Sequence, residues 1–308
     1  MGMDNLDTSV KDLSIEAERK IARTFMGRIE WEMILIGLGQ FIVWLVTWVL
    51  VIQGLIPLWL GSILVILSTC CAYLPSHAGQ HGHLSGGKKN LKWLDTLVSH
   101  ITLIPLSQSH DILKATHLKH HAHTNDPDRD PDHFHTHVNN WFECVKNIND
   151  QYSPNGRIVG IIEKLSEEDP KFSETLEKGS AVTLIYYVAN IVLAIFFPLE
   201  TLLLWWIPKR IATCYLGIVF SYHPHAGLEP GRYKDTRFWT NKIPRFFNHS
   251  MQIHTMHHMY PRICHYDEPK AIEALKPYMI ERGMPGAEYI PERITWNPLT
   301  YIKGANRE

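Results

Sequence analysis

Histidine is the residue type whose number and spacing point to chemistry in this sequence. One pair has the pattern HxxxH and two triplets have the pattern HxxHH. On an α-helix these spacings place the imidazoles on one face, a turn apart. Imidazole is the commonest metal-binding side chain, so the pattern predicts a metal site. The residues are His77, His81, His117, His120, His121, His254, His257 and His258.

The number of imidazoles indicates two metal ions. A structural zinc needs four ligands and a catalytic zinc three, whereas the three motifs supply eight, with His225 or His223 as a ninth. All 19 histidines lie within residues 77–137 and 223–265. Imidazole binds zinc, copper, iron and nickel, so the ligand type does not select the metal.

Other classes of site lack support in the sequence. A net charge of −1 argues against a nucleic-acid partner. Five cysteines without a CxxC pair suggest neither a disulfide framework nor a cysteine-based zinc or iron–sulfur site. The sequence also lacks CxxCH and GxGxxG motifs. A redox enzyme of this sequence would therefore take electrons from a separate carrier, such as a ferredoxin or a cytochrome.

Apolar segments surround the histidines. Residues 33–56 and 58–74 contain no charge, and 181–198 and 202–222 are mostly apolar. Segments of this length cross roughly 30 Å of hydrocarbon. We expect an all-α integral membrane protein with four transmembrane helices in two hairpins, which places both histidine-rich regions on one side. Basic residues near the N-terminus indicate that this side is cytoplasmic.

This topology divides the chain into three parts. Residues 1–32 form a cytoplasmic N-terminal segment, 33–270 a membrane domain and 271–308 a cytoplasmic tail. Within the domain, 75–180 is a cytoplasmic helical cap, and 91–106 is too short and polar to cross. Two sets of residues are predicted to lie outside the metal site. The tryptophans expected to face lipid or the membrane interface are Trp44, Trp48, Trp59, Trp205 and Trp206. The histidines expected on the protein surface are His133, His135 and His137.

The three histidine motifs and their order around the membrane segments resemble the membrane fatty acid desaturase and hydroxylase superfamily. The resemblance covers roughly residues 30–270. Within it, the bacterial β-carotene hydroxylase branch is the most similar, on the segments 121–133, 222–225 and 232–261. The resemblance implies two non-haem iron ions, O₂ as oxidant and a separate electron donor. It also favours His225 over His223 as the additional ligand.

Several further residues belong to the predicted site. Carboxylates often orient metal-bound histidines by accepting Nδ1–H, which assigns this role to Asp126, Asp128 and Asp130. Gln252, at a position where such proteins often have Asn, and His223 are added as supporting residues. His83 and His123 are additional histidines that leave the exact ligand set open.

The predicted function is O₂-dependent oxidation of an unactivated C–H bond in a lipid by a di-iron enzyme, with hydroxylation of a carotenoid β-ring slightly favoured. The alternative is a fatty acyl desaturase that introduces a C=C bond. A membrane metal-binding or transport protein would need ionisable residues inside the spans, and 33–56 and 58–74 have none. A membrane haem protein would need paired histidines within the hydrocarbon thickness, whereas these lie at or beyond the span ends.

Overall fold

The structure, a computed structural model, describes residues 12–304 except 152, 154 and 296. The described part is helical and contains no strand, only an isolated bridge between Met26 and Ile263. The predicted segments 1–32 and 271–308 extend beyond it at their outer ends. The main helices are α1 (Ile15–Arg23), α2 (Trp31–Ile52), α3 (Leu58–Gln80), α4 (Lys92–Leu103), α5 (His110–His123), α6 (Trp141–Asp150), α7 (Arg157–Glu168), α8 (Pro170–Phe196), α9 (Pro198–His225), α10 (His254–Met259) and α11 (Glu268–Glu281).

Within the described residues, α2, α3, α8 and α9 are the four helices long and apolar enough to cross a membrane. This agrees with the four predicted spans, although α3 and α9 continue beyond 74 and 222 to include His77 and His225. Helix α8 exposes most of its apolar side chains, including Leu184, Ile195 and Phe196. Such a surface requires an apolar solvent, which a bilayer provides.

Helices α2 and α3 pack against each other across a short connection. Gly54 ends α2 in the left-handed region at φ +71°, and the N–H of Leu55 donates to the carbonyl of Leu50 at 2.9 Å. This is a Schellman-type end, which favours glycine. Gly61 allows the helices to approach, because a Cβ there would lie 2.4 Å from Val51 Cγ2.

Helix α9 contains two π-helical stretches, Leu202–Trp206 and Gly217–Tyr222. Each is followed closely by a proline, Pro208 and Pro224. Proline lacks the N–H that would continue the α-helical ladder, and local widening of the helix accommodates this loss. The second stretch ends three residues before His225, so it helps to set the direction in which that side chain projects from the end of the helix.

Three of the predicted lipid-facing tryptophans are buried instead. Trp44, Trp48 and Trp205 form a cluster between α2 and α9, with Trp205 edge-on to Trp44 at a centroid distance of 5.1 Å. Edge-to-face packing adds to the energy of apolar burial, which explains an internal position for these large rings. Trp59 and Trp206 are exposed, as predicted.

The region between the two helix pairs is a helical cap built from α4 to α7. Its helix α4 packs against α2 and α3, and Gln40 of α2 donates to the Thr102 carbonyl at 3.0 Å and to its hydroxyl at 2.8 Å. The prediction that His135 lies on the surface is wrong. The turn His133–Thr136 folds inwards, and His135 is only 7% exposed, with its ring 4.4 Å from that of Phe134.

The C-terminal region is part of the folded core. Helix α11 packs against α1 and α10 through an apolar cluster that includes Ile272, Leu275 and Tyr278. The buried carboxylate of Glu18 in α1 accepts hydrogen bonds from the Tyr260 hydroxyl at 2.6 Å and from Arg282 Nε at 2.8 Å. These contacts fix the third histidine motif between the two ends of the described chain.

Candidate metal centre

Two groups of histidines converge where α3, α5, α9 and α10 meet. Within each group the potential ligand nitrogens all lie within 4.8 Å of one another. Helix α5 contributes histidines to both groups. His117 and His121, four positions apart, belong to one group, and His120 belongs to the other. The first group is His77, His81, His117, His121 and His257, and the second is His120, His225 and His258.

The two groups are adjacent. The rings of His121 and His258, which belong to different groups, stack with a centroid distance of 4.3 Å. His254 lies next to both groups but belongs to neither. Its ring centroid is 5.1 Å from His257 and 4.8 Å from His258, and its buried Nδ1 has no hydrogen-bond partner.

The nitrogen positions in the first group fit a shared cation. His117 Nε2 lies 2.8 Å from His81 Nε2 and 3.1 Å from His121 Nε2. A neutral ring nitrogen either donates or accepts, so it cannot satisfy both neighbours by hydrogen bonding. Nitrogens bound to one metal at about 2.1 Å and at right angles would lie roughly 3 Å apart. The crowding of these nitrogens is therefore consistent with metal ligation.

The protonation states also suit metal binding. Burial, followed by the proximity of other imidazoles, holds the pKa of His117, His121 and His257 well below the usual range. The same causes depress the pKa of His81, His254 and His258. These imidazoles are neutral at pH 7, which is the form that binds metals.

Asp130 orients His120. The carboxylate is fully buried and lies 2.8 Å from His120 Nδ1, while the N–H groups of Asn125 and Asp132 donate to it at 2.8 and 2.9 Å. Burial lowers the pKa of His120, but Asp130 outweighs this effect and raises it to about 9. An Nδ1–H bonded to a carboxylate leaves Nε2 directed at a metal, and the metal would displace the Nε2 proton when it binds.

The second group has another orienting contact. His225 Nδ1 donates to the carbonyl of Asp235 at 2.9 Å. The same carbonyl accepts from Asn125 Nδ2 at 2.9 Å, so the turn after α5 and the segment after α9 are tied together. A backbone acceptor leaves no trace in a sequence pattern, which is why this contact was not predicted.

The remaining predicted residues occupy varied positions. Asp128 lies on the surface, with its carboxylate 3.7 Å from Lys164 Nζ, and Asp126 lines an open cleft beside His121 and His258. His223 is exposed and packs on Trp239 at 4.9 Å, while the buried Gln252 lies 3.4 Å from Asn241. Neither His223, His83 nor His123 joins the two histidine groups.

Two buried glutamates near the site were not predicted. Glu268 lies 3.9 Å from His257 Nδ1 and 3.0 Å from His265 Nδ1. Glu30 lies 3.5 Å from His83 Nδ1, and both glutamates are almost completely buried. Glu268 follows His265 by three residues on the sequence, a helical spacing that could have indicated the pair.

A comparison of the sequence with profiles of known protein families identifies the family of this chain. The fatty acid desaturase family profile matches residues 53–289, which include all three histidine motifs. The chain belongs to the fatty acid desaturase family. The protein is therefore a membrane-bound oxidoreductase of lipids, in a family that typically uses two irons. No curated protein sequence matches the chain significantly.

Proposed function

We propose that the protein is an O₂-dependent di-iron enzyme that oxidises an unactivated C–H bond of a lipid. The observation that carries this proposal is the pair of adjacent buried histidine groups at the ends of apolar helices. The irons would be held by the five-histidine and three-histidine groups, with His254 as the ninth ligand. When bound, such a pair supplies the two-electron chemistry that activates O₂.

The protein's own contribution is to orient the ligands and exclude water. Asp130 and the Asp235 carbonyl fix the rings of His120 and His225 through Nδ1. Tyr73 and Phe220 pack edge to face at 5.1 Å, and their rings lie 5.8 and 5.9 Å from His77. This aromatic pair places an apolar layer directly beside the first histidine group.

A cavity of about 140 Å³ is bordered by both members of the aromatic pair. Tyr73, Phe220, Leu113 and Leu216 give it an apolar wall, while Ser221 donates to Asp132 at 3.0 Å near its polar rim. We assign this cavity to the part of the substrate that carries the reacting C–H bond. Its compact apolar wall suits the end of an elongated lipid.

The membrane arrangement proposed here has two hairpins and a cytoplasmic site. Consecutive helices α2 and α3, and α8 and α9, are joined by short connections. The start of α2 and the ends of α3 and α9 all lie near the histidine groups. Basic residues in and after α1, including Arg19, Lys20 and Arg23, favour the cytoplasmic side for these ends.

Electrons would come from a separate carrier. An open cleft of about 470 Å³ reaches His121 and His258, one from each group, from the side lined by Asp126 and Arg232. The cleft therefore exposes one histidine of each group to a docking partner. A ferredoxin or a cytochrome docked over it would deliver the electrons.

The reaction type is proposed as hydroxylation, with a carotenoid β-ring as substrate, on the basis of the 121–133 and 222–225 segments. Acyl desaturation is the second candidate, favoured by the family match. In the structure, the acidic turn formed by residues 125–132 supports His120 and does not line the substrate cavity except through Asp132. The turn therefore supports the metal site more directly than it supports a particular substrate.

Isotope labelling distinguishes the two reactions. The purified enzyme with an electron donor is incubated with carotenoid and acyl-lipid substrates under ¹⁸O₂, and the products are analysed by mass spectrometry. Hydroxylation leaves one ¹⁸O atom in the product, whereas desaturation sends both atoms to water. A ring carrying one ¹⁸O supports the proposal. A new C=C bond without ¹⁸O in an acyl chain replaces it with the second candidate, and His257→Ala serves as the inactive control.

A further inference from the structure

An apolar patch outside the four long helices has no protein partner among the described residues. It consists of Ile243, Phe246 and Phe247 on one loop and Leu299 on a second segment, with exposed fractions between 47% and 67%. Isolated exposed apolar residues are common, but four together on adjacent loops indicate an interaction surface.

The patch is held in a fixed shape. The N–H of Phe246 donates to the Pro298 carbonyl at 2.8 Å, and the N–H of Arg245 donates to the Thr300 carbonyl at 3.0 Å. The loop closes on itself where Ser250 donates to the Arg245 carbonyl at 2.9 Å, with Ser250 in the left-handed region at φ +56°. The apolar side chains are therefore presented outwards by an ordered backbone.

Two contacts connect this patch to helices that are long and apolar enough to cross a membrane. The hydroxyl of Tyr215, in the apolar helix α9, donates to the Phe247 carbonyl at 2.5 Å. Phe246 lines a cavity together with Met33 and Ile36, which belong to the first turns of α2. The exposed Lys242 directly precedes Ile243 and borders the patch. Apolar side chains bordered by a lysine are typical of surfaces that insert at a bilayer interface.

The cavity beside the patch is separated from the first histidine group by two aromatic side chains. It has a volume of about 80 Å³, and its walls include Cys71, Leu74 and His249. The ring of His249 lies 5.4 Å from Phe220, which in turn contacts His77. Ring contacts from His249 to Phe220 and from Phe220 to His77 thus connect the wall of this cavity to the first histidine group.

We propose that Ile243, Phe246, Phe247 and Leu299 insert into the lipid interface and frame a lateral opening through which a lipid substrate passes from the bilayer. Membrane insertion does not depend on the reaction that the enzyme performs. The role as a substrate entrance rests on the proposed function, so the two parts need separate measurements.

Photolabelling of the unmodified protein tests insertion. The protein is reconstituted in phosphatidylcholine vesicles that contain a lipid with a photoactivatable group near the headgroup, and labelled tryptic peptides are identified. Cleavage after Arg245 and Arg262 gives a peptide, 246–262, in which Phe246 and Phe247 are the exposed large apolar residues. We expect this peptide to be labelled, and the peptide 283–293, which carries the 95%-exposed Glu292, to remain unlabelled. Equal labelling of both, or none of 246–262, would overturn the proposal.

A second copy of the chain is the other possible occupant of the patch. In that case, diluting the protein in the vesicles would increase the labelling of 246–262 as the copies separate. Labelling that is independent of protein density supports insertion, and a strong dependence contradicts it.

Kinetics test the entrance. Phe246→Asp is expected to raise KM for a vesicle-borne lipid about tenfold and to leave kcat nearly unchanged, because the route and not the chemistry is altered. The matched control is Ile280→Asp, which changes a residue of similar exposure on α11, away from the patch. A fall in kcat at constant KM, or an equal change in the control, would refute the entrance. Failure of the proposed function would instead appear as an inactive unmodified enzyme with normal photolabelling.

Discussion

The clearest consequence of the site geometry concerns Asp130→Asn. The change keeps the size of a fully buried side chain but removes the charge 2.8 Å from His120 Nδ1. The new amide also cannot accept from both backbone N–H groups, of Asn125 and Asp132, that now donate to the carboxylate. His120 would lose its fixed orientation, and with it the second histidine group would lose one well-placed ligand.

The expected cost follows from this contact. Removing the carboxylate partner of a metal-bound histidine typically lowers metal affinity by about 10- to 100-fold. This corresponds to about 1.4 to 2.7 kcal/mol. Because Asp130 contacts the three-histidine group only, the loss should affect one of the two irons and leave the other bound.

The assay measures iron per chain during dialysis against increasing chelator concentrations, together with the thermal unfolding of the protein. Asp128→Asn is the matched control, since this carboxylate lies in the same turn but is 74% exposed and faces Lys164. We expect Asp130→Asn to lose about one iron at a chelator concentration that leaves the control loaded. Identical chelator curves for the two variants, or simultaneous loss of both irons from Asp130→Asn, would refute the reasoning.

Three further predictions follow from the fold and the site. His225→Ala should abolish turnover with normal membrane expression, whereas His223→Ala, two residues away and exposed, should be nearly neutral; equal activities would remove His225 from the ligand set. Reporter fusions after residues 28, 150 and 290 should all report the cytoplasm, and opposite sides for 150 and 290 would contradict the two-hairpin topology. Burial, followed by His100, lowers the pKa of His110 to about 3, so its contribution to stability is present above pH 6.5 and falls as the pH decreases towards 3, by about 1.4 kcal/mol per pH unit. Between pH 7 and 4.5 the thermal midpoint of His110→Gln should therefore fall less than that of the unmodified protein; parallel curves would contradict this assignment.

The sequence predicted the parts of the fold that depend on local patterns. Uncharged apolar segments identified the four long helices, and the i, i+3, i+4 spacing identified the histidines of α5 and α10. Eight of the nine named histidines lie in the two groups found in the structure, and His254 lies beside them. Local spacing was informative because each motif lies on one short helical segment.

Features that depend on tertiary packing were not predicted. Trp44 and Trp205 are distant in sequence, and only the packing of α2 on α9 shows that their rings share a core. Similarly, Glu268 and His257 approach because α11 folds back on α10, and the polar average of residues 271–308 concealed the buried face of that helix. The periodic spacing of apolar residues identifies which face of a helix is buried. It does not identify the neighbouring helix that this face contacts.

The division of eight of the nine histidines into two groups was also not predictable from the sequence. His120 and His121 are neighbours on α5, yet they face different groups, because successive positions on a helix point about 100° apart. Only the directions of α3, α9 and α10 determine which imidazoles meet. The spacing of the histidines in the sequence therefore predicted the number of ligands. The structure shows which of them lie together in each group.

The metal content of the purified protein tests the central claim most directly. The protein is purified from iron-replete cells and analysed for all transition metals, with protein concentration measured independently. With five imidazoles in one group and three in the other, beside His254, we expect about two irons per chain by the usual ligand requirements. A single tightly held zinc per chain, in a preparation that retains full activity, would contradict the di-iron account.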